Sequence, residues 1–326
     1  MTQSIQDPFT KAQAPLLIQE VGPRDGFQIE AAFIPTVDKI ALIDALSLCG
    51  LAKIEATSFT SPKAIPALAD ADEVLRGIRR QPGVVYTVLV PNLRGAERAL
   101  AAGADELNLV MSTSETHNLL NLRMSREQSA GRLLEVVALT QGTQVALNVS
   151  LSTAFGCPME GAVPEAVVLA YAQRFLEAGV RGITLCDTTG MANPRQVRAL
   201  CEAFIGRFPG AELTLHLHNT RGMGLANALA GVEAGVQRFD ASLGGLGGCP
   251  YAPGATGNVC TEDLVHMLQA MGYEVAVDLP RLLAAARSLP ALLGHDVPGQ
   301  VLHAGRSQDL HPIPASLTEI RARAEA

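Results

Sequence analysis

The chain is expected to be an α/β protein: a (β/α)8 TIM barrel with a short C-terminal helical and irregular extension. Three observations lead there. Short apolar runs alternate eight times with longer helical patterns, over roughly the length of one such barrel. Four joins, LSLCGLAKIEA, ALAAGADELNL, FLEAGVRGITL and GVEAGVQRFDA, each stop a helix at glycine and restart a strand within a few residues, as an αβ turn does. The first strand leads into VGPRDG, not the G-x-G-x-x-G turn an open doubly wound sheet normally carries there.

In chain order, the strand segments are 16–22, 52–59, 84–90, 106–111, 144–150, 182–187, 212–218 and 236–242, each short and rich in Val, Ile, Leu or Thr. Helical patterns fall between them at 36–48, 66–80, 94–102, 126–140, 164–178, 194–207 and 222–234, with an eighth at 261–271. Residues 1–278 are read as the catalytic barrel with a short N-terminal extension. Residues 279–326 are read as an extension packed on it.

Composition narrows the function. Hydrophobic residues are 48% of the chain, aromatics only 4%, and Trp is absent, so the core is built from Leu, Val, Ile and Ala. The net charge of -7 and the lack of a basic patch argue against nucleic acid as a partner. No apolar run reaches membrane-span length, so no membrane partner is expected. The opening MTQSIQDPFTKAQAP lacks the apolar centre of a secretory signal. The six cysteines show no C-x-x-C, which favours reduced thiols and a cytoplasmic location.

The chemistry gathers at strand ends, where barrel enzymes place their active sites. In LTLHLHN, His216 and His218 are two apart on a strand and share one face with Thr214. Two adjacent imidazoles resemble part of a metal site, although H-x-H alone is a weak signal. Its plainer reading is a hydrogen-bonded pair at the barrel mouth. Arg24 and Asp25 follow the first strand. Glu55, Asn148, Asp187 and Asp240 lie toward the ends of others, and Cys249 and Asn258 follow the eighth. Two imidazoles, the Asp25 carboxylate and the Asn258 amide oxygen form a mixed N/O set. That set suits Mg²⁺ or Mn²⁺, with Co²⁺ or Zn²⁺ less favoured. Arg24 is a fixed cationic fork for a carboxylate or an enolate oxygen; its plainer role is a salt bridge, with Glu55 as partner. The glycine-rich 242–258 segment suits either a surface loop or a lid that excludes water. On it, Cys249 is an acid, base or nucleophile candidate. Cys157, in STAFGCPMEG, is equally well explained by packing. Asp187 either joins site hydrogen bonding or only starts the next helix. Asn92 is placed to cap a helix, and NTRGMGLAN to offer backbone N–H groups to an anion.

Taken together, VGPRDGFQIE, ATSFTSPKAIPALAD, TVLVPNLRG, AFGCPMEG, CDTTG, HLHNTRGMGLAN and GGLGGCPYAPGATGNVCTEDLV resemble the hydroxymethylglutaryl-CoA lyase family of the metal-dependent lyase and synthase barrels. The likeness runs over about 16–275, and the cysteine segment is its most specific part. It implies that Asp25, His216, His218 and Asn258 hold the metal and that Arg24 steadies the thioester oxygen as it becomes an enolate. It implies that Cys249 is the acid/base on a mobile loop, that Glu55 and Asp187 support the site, and that Glu262 anchors the loop. The implied reaction cleaves the C2–C3 bond of 3-hydroxy-3-methylglutaryl-CoA to acetyl-CoA and acetoacetate, with Asp25 or His216 as base. An acyl-CoA partner and a homodimer follow from the same likeness.

Phe27 and Ile29 stand where the family more usually has Leu and Asn. Asn219 stands for Asp, and Arg221 and Met223 for Tyr and Gln. These positions, near the expected ligands, bear on acyl preference and keep a lyase for a longer or differently substituted 3-hydroxyacyl-CoA as the alternative. A Claisen-type synthase or an aldolase is less favoured, because the cysteine segment points away from it. A non-enzymatic acyl-CoA sensor is the remaining rival.

Overall fold

The computed structural model describes residues 14–248 and 257–325. Eight parallel strands close into a barrel in sequence order: β1 (Leu17–Glu20), β2 (Lys53–Ser58), β3 (Val85–Val90), β4 (Glu106–Ser112), β5 (Ala146–Ser152), β6 (Gly182–Asp187), β7 (Glu212–Leu217) and β8 (Arg238–Ala241). β1 pairs with both β2 and β8, which completes the circle. Each strand segment read from the sequence is present.

β4 shows why the interior can carry chemistry. Leu107, Leu109 and Met111 are fully buried and face the helices, while Glu106, Asn108, Val110 and Ser112 alternate toward the barrel axis. Interiors of this fold are commonly filled by branched aliphatic side chains. Here Lys53 pairs with Glu106 at 2.6 Å across the barrel floor, and Asn108, Asn148 and Thr184 hydrogen-bond above them.

The helices are α1 (Thr36–Ser47), α2 (Ala71–Gly77), α3 (Leu93–Ala102), α4 (Glu115–Leu122), α5 (Arg126–Leu139), α6 (Glu165–Glu177), α7 (Pro194–Arg207), α8 (Gly224–Glu233) and α9 (Thr261–Ala270). Several starts are written in the sequence. Asn92 caps α3 by accepting from Gly95 N, and α5 and α7 open on capping boxes at Ser125 and Asn193. Two expectations need correction. The 66–80 helix is a 3-10 turn at Pro66–Leu68 followed by the short α2, because Asp70 turns its carboxylate to Thr36 and Lys39. β5 begins at Ala146 instead of 144, after a turn in which Thr143 Oγ1 accepts from Val145 N.

Beyond the barrel come α10 (Leu279–Ala286), α11 (Leu289–Leu293), α12 (Gln300–Ala304) and α13 (Leu317–Ala324). Leu282, Ala286 and Leu289 join the barrel core. Asp263, in α9, accepts from the backbone N–H groups of Gln300 and Val301 and so ties down the start of α12. Leu310, Ile313 and Ile320 are exposed. No helix among the described residues is long and apolar enough to cross a membrane.

Candidate metal centre and active site

Directly after β1 the chain makes a tight π-helical turn, Gly22–Gly26, which buries Arg24 and Asp25 at the barrel mouth. β7 delivers His216 and, just past its end, His218 to the same place. Their Nε2 atoms face each other at 3.2 Å, and His216 Nε2 lies 3.9 Å from Asp25 Oδ2. One donor atom each from Asp25, His216 and His218 falls within a 4.8 Å span, and all three residues are buried.

This donor set fits a divalent cation. Two imidazole nitrogens turned toward each other repel unless a proton or a cation lies between them. Asp25 is charged: burial opposes ionisation, but Arg24, then His216 and His218, and the Asn258 hydrogen bond bring its pKa to about 2. Asn258 Nδ2 lies 2.7 Å from Asp25 Oδ2, while Asn258 Oδ1 is buried with no hydrogen-bond partner. That is an unspent oxygen donor beside the cluster. His216 Nδ1 lies 3.3 Å from Asp240 Oδ2, which orients its ring in the way second-shell carboxylates orient metal-binding histidines.

Arg24 sits between the cluster and β2. Its Nε donates to Glu55 Oε2 at 2.5 Å and its Nη1 contacts Asp25 Oδ1. Burial lowers the guanidinium pKa, but Asp25 and Glu55 more than reverse this. Burial raises Glu55, against Arg24. Gln28 Nε2 donates to Asp25 Oδ1 at 2.7 Å. A cavity of about 360 Å³ opens above the cluster. Its lining includes the polar Arg24, Asp25, His216 and His218, the apolar Ile65, Leu89 and Val110, and Gly248.

The segment after β8 frames the other edge. Gly247 has φ 102°, and a Cβ there would lie 2.5 Å from Asn258 Nδ2, so glycine is required on both backbone and steric grounds. Glu262 accepts from Gly244 N through both carboxylate oxygens and anchors the start of this segment. The chain passes from Gly248 to Gly257, flanking a stretch that includes Cys249. Cys249 itself lies outside the described residues.

A family model described as HMGL-like matches residues 16–289. The chain belongs to the HMGL-like family. Among similar proteins is hydroxymethylglutaryl-CoA lyase YngG of Bacillus subtilis (strain 168), 46% identical over 290 residues, covering 89% of this chain and 97% of that protein. The mitochondrial hydroxymethylglutaryl-CoA lyase of Homo sapiens is 42% identical over 287 residues, 88% of each chain. An HMG-CoA lyase from A. baumannii, solved with coenzyme A and 3-methylmalate, superposes with a TM-score of 0.89 at 53% identity, covering 92% of this chain and 98% of that one. The carboxyl transferase domain of Rhizobium etli pyruvate carboxylase, at 19% identity and a TM-score of 0.67, shares the fold.

Within this HMGL-like barrel, Arg24, Asp25, Glu55, His216, His218, Asp240 and Asn258 converge as the sequence led us to expect. Asn148 does not reach the mouth. It is level with Gly182, the first residue of β6, and lies lower in the barrel because β5 starts two residues late. Asp187 ends β6, but its Oδ1 accepts from the N–H groups of Met191 and Ala192, so it closes the turn before α7. Burial raises its pKa to about 6 against those bonds. Cys157 is fully buried and accepts from the Ser114 hydroxyl, as packing predicts. Of the residues that depart from the family pattern, Ile29 lines the cavity and Phe27 is in the core. Asn219 accepts from Gly224 N at the start of α8, and Arg221 donates to the carbonyls of Thr189 and Gly190. The NTRGMGLAN loop thus spends an N–H expected for an anion on its own closure.

Sequence reasoning missed Glu20, Gln28 and Asn108. Glu20 is fully buried and accepts from Gly22 N, Leu243 N and Thr261 Oγ1. It joins the turn carrying Arg24 and Asp25 to the segment carrying Asn258.

Proposed function

We propose that the chain is a divalent-metal-dependent carbon–carbon lyase that cleaves 3-hydroxy-3-methylglutaryl-CoA to acetyl-CoA and acetoacetate. The observation that carries this reading is the buried Asp25–His216–His218 cluster with the Arg24 guanidinium fixed beside it.

The reaction needs three events. The C3 hydroxyl loses its proton, the C2–C3 bond breaks with its electron pair passing into the thioester as an enolate, and C2 gains a proton. Asp25, His216, His218 and Asn258 would hold a divalent ion, which would supply Lewis-acid polarisation of substrate oxygens and make the C3 hydroxyl more acidic. The hydroxyl proton leaves toward Asp25 or His216, both in the cavity wall. His216 is kept in register by Asp240. Arg24 has Nε and Nη1 engaged, so its position is set, and it keeps further N–H donors for the developing enolate oxygen. Little reorganisation is then needed as charge moves.

We assign proton return at C2 to Cys249, on the likeness of its glycine-rich segment and because Gly248, its neighbour, lines the cavity. Cover from that segment would keep water from protonating the enolate early. We also propose a cytoplasmic homodimer, from the thiol content and the family likeness, to be checked by fractionation and light scattering.

Incubating purified protein and Mg²⁺ or Mn²⁺ with 3-hydroxy-3-methylglutaryl-CoA, then resolving products by chromatography, tests the reading. Acetyl-CoA and acetoacetate in equal amounts support it. Unchanged substrate with metal bound overturns the substrate assignment.

A further inference from the structure

Below the metal cluster the barrel holds a polar relay that bond cleavage does not by itself require. Asn108, on β4, is its hub. Its Nδ2 donates to Glu55 Oε1 at 2.8 Å. Its Oδ1 accepts from Asn148 Nδ2 and from Ser150 Oγ, both at 2.9 Å. Asn148 Nδ2 also donates to Thr184 Oγ1 at 2.9 Å. Partners on β2 and β5 therefore hold the Asn108 amide directly, and Thr184 on β6 steadies it through Asn148.

The network permits only one orientation of the Asn108 side chain. Turning it over would set its NH2 against the NH2 of Asn148 and its oxygen against the Glu55 carboxylate, while the Ser150 hydroxyl could serve either way. Glu55 is then gripped at both ends, by Asn108 on Oε1 and by Arg24 on Oε2. A carboxylate held at one oxygen swings easily, because its terminal torsion is broad; held at two, it is fixed. Asn108 is buried and lines both the mouth cavity and a floor cavity of about 10 Å³, room for roughly one water. With Asp240, which also lines both, it stands between them.

We infer that Asn108 is a positioning residue for the cleavage step: its amide fixes the Glu55 carboxylate, which aims the Arg24 guanidinium at the oxygen that gains charge. The inference rests on the proposed lyase activity. A misaimed guanidinium loses stabilisation mainly in the transition state, so kcat is the parameter affected. Neighbours that only orient a site residue are typically worth about 10–100-fold.

The test uses N108D and N108L in the full chain. N108D keeps the shape and the acceptor for Asn148 and Ser150, and sets a carboxylate against Glu55. N108L fills similar space with no polar contact. Near neutral pH, both are expected to lower kcat about 10–100-fold, with KM within about twofold and Mn²⁺ affinity unchanged. In a Glu55→Gln background, N108L should cost far less than in wild type, since it acts through Glu55. Wild-type kcat in N108D, or a full additive loss in the Glu55→Gln background, overturns the inference. Crystal structures of wild type and N108D give a readout independent of turnover. The Arg24–Glu55 contact should be broken or rotated in the variant, and an unmoved pair overturns the inference. If N108L folds poorly, N108D and its structure carry the decision alone. Absence of cleavage by the wild type, measured in parallel, instead strikes the proposed activity, and the two structures still decide the positioning claim.

Discussion

Arg24 touches Asp25 on one side and Glu55 on the other, a double contact that suits a planar fork and not a point charge. Arg24→Lys is expected to lower kcat by about 10²–10³-fold, the range for losing a preorganised oxyanion donor, with KM little changed in steady-state kinetics. Asp187 gives the opposite contrast. Asp187→Asn keeps the oxygen that accepts from Met191 and Ala192, so its turnover should stay close to wild type. Asp187→Ala leaves both N–H groups unmet and should destabilise the fold by about 1–3 kcal/mol, measured by urea unfolding. Equal activity loss in both variants would instead place Asp187 in the chemistry. At this scale the H-x-H pair was legible because a strand repeats every two residues. Asp25 was legible from its short motif. Asn108 and Gln28 were not, since a single amide in a strand or turn carries no pattern until the barrel supplies its partners.

The elements meet at Glu20. Its carboxylate holds the Gly22–Gly26 turn, the start of the post-β8 segment and the first residue of α9. Burial raises its pKa from the ordinary 4.5 to about 8, against the hydrogen bonds from Leu243, Thr261 and Gly22. The folded chain therefore keeps this proton where the unfolded chain releases it. The stability held by the neutral form is complete below pH 4.5 and is lost as pH rises toward 8. Glu20→Gln mimics the neutral acid, so its urea midpoint should fall less than that of wild type as pH rises from 4.5 to about 8. Gly247→Ala is expected to weaken Mn²⁺ binding, because its methyl would displace Asn258; calorimetric titration reads this directly. Strand order and helix caps were written in local sequence. The late start of β5 was not, because Gln144 and Val145 look as strand-like as the residues that follow. α4 falls outside the helical patterns that periodicity marks, although Ser114 caps it by accepting from His117 N, a signal present in SETHN.

For the whole molecule, the closed sheet brings residues more than two hundred positions apart into one cluster, as in the contact between Asn258 and Asp25. Barrel architecture was readable from eight repeated alternations. The polar filling of its interior was not, since the same alternation of apolar and polar residues would also suit a sheet with one face in water. An ion that binds only the folded chain adds about 2.7 kcal/mol at a hundred times its Kd. Mn²⁺ should therefore raise Tm in wild type, and the gain should vanish in His216→Ala and His218→Ala. The most direct test of the metal-dependent lyase account is turnover of 3-hydroxy-3-methylglutaryl-CoA by chelator-stripped protein as Mn²⁺ is added back, with bound ion counted in the same samples. The account predicts no turnover without metal and a rate rising in proportion to occupancy up to one ion per chain. Full turnover by stripped protein held in chelator would contradict it.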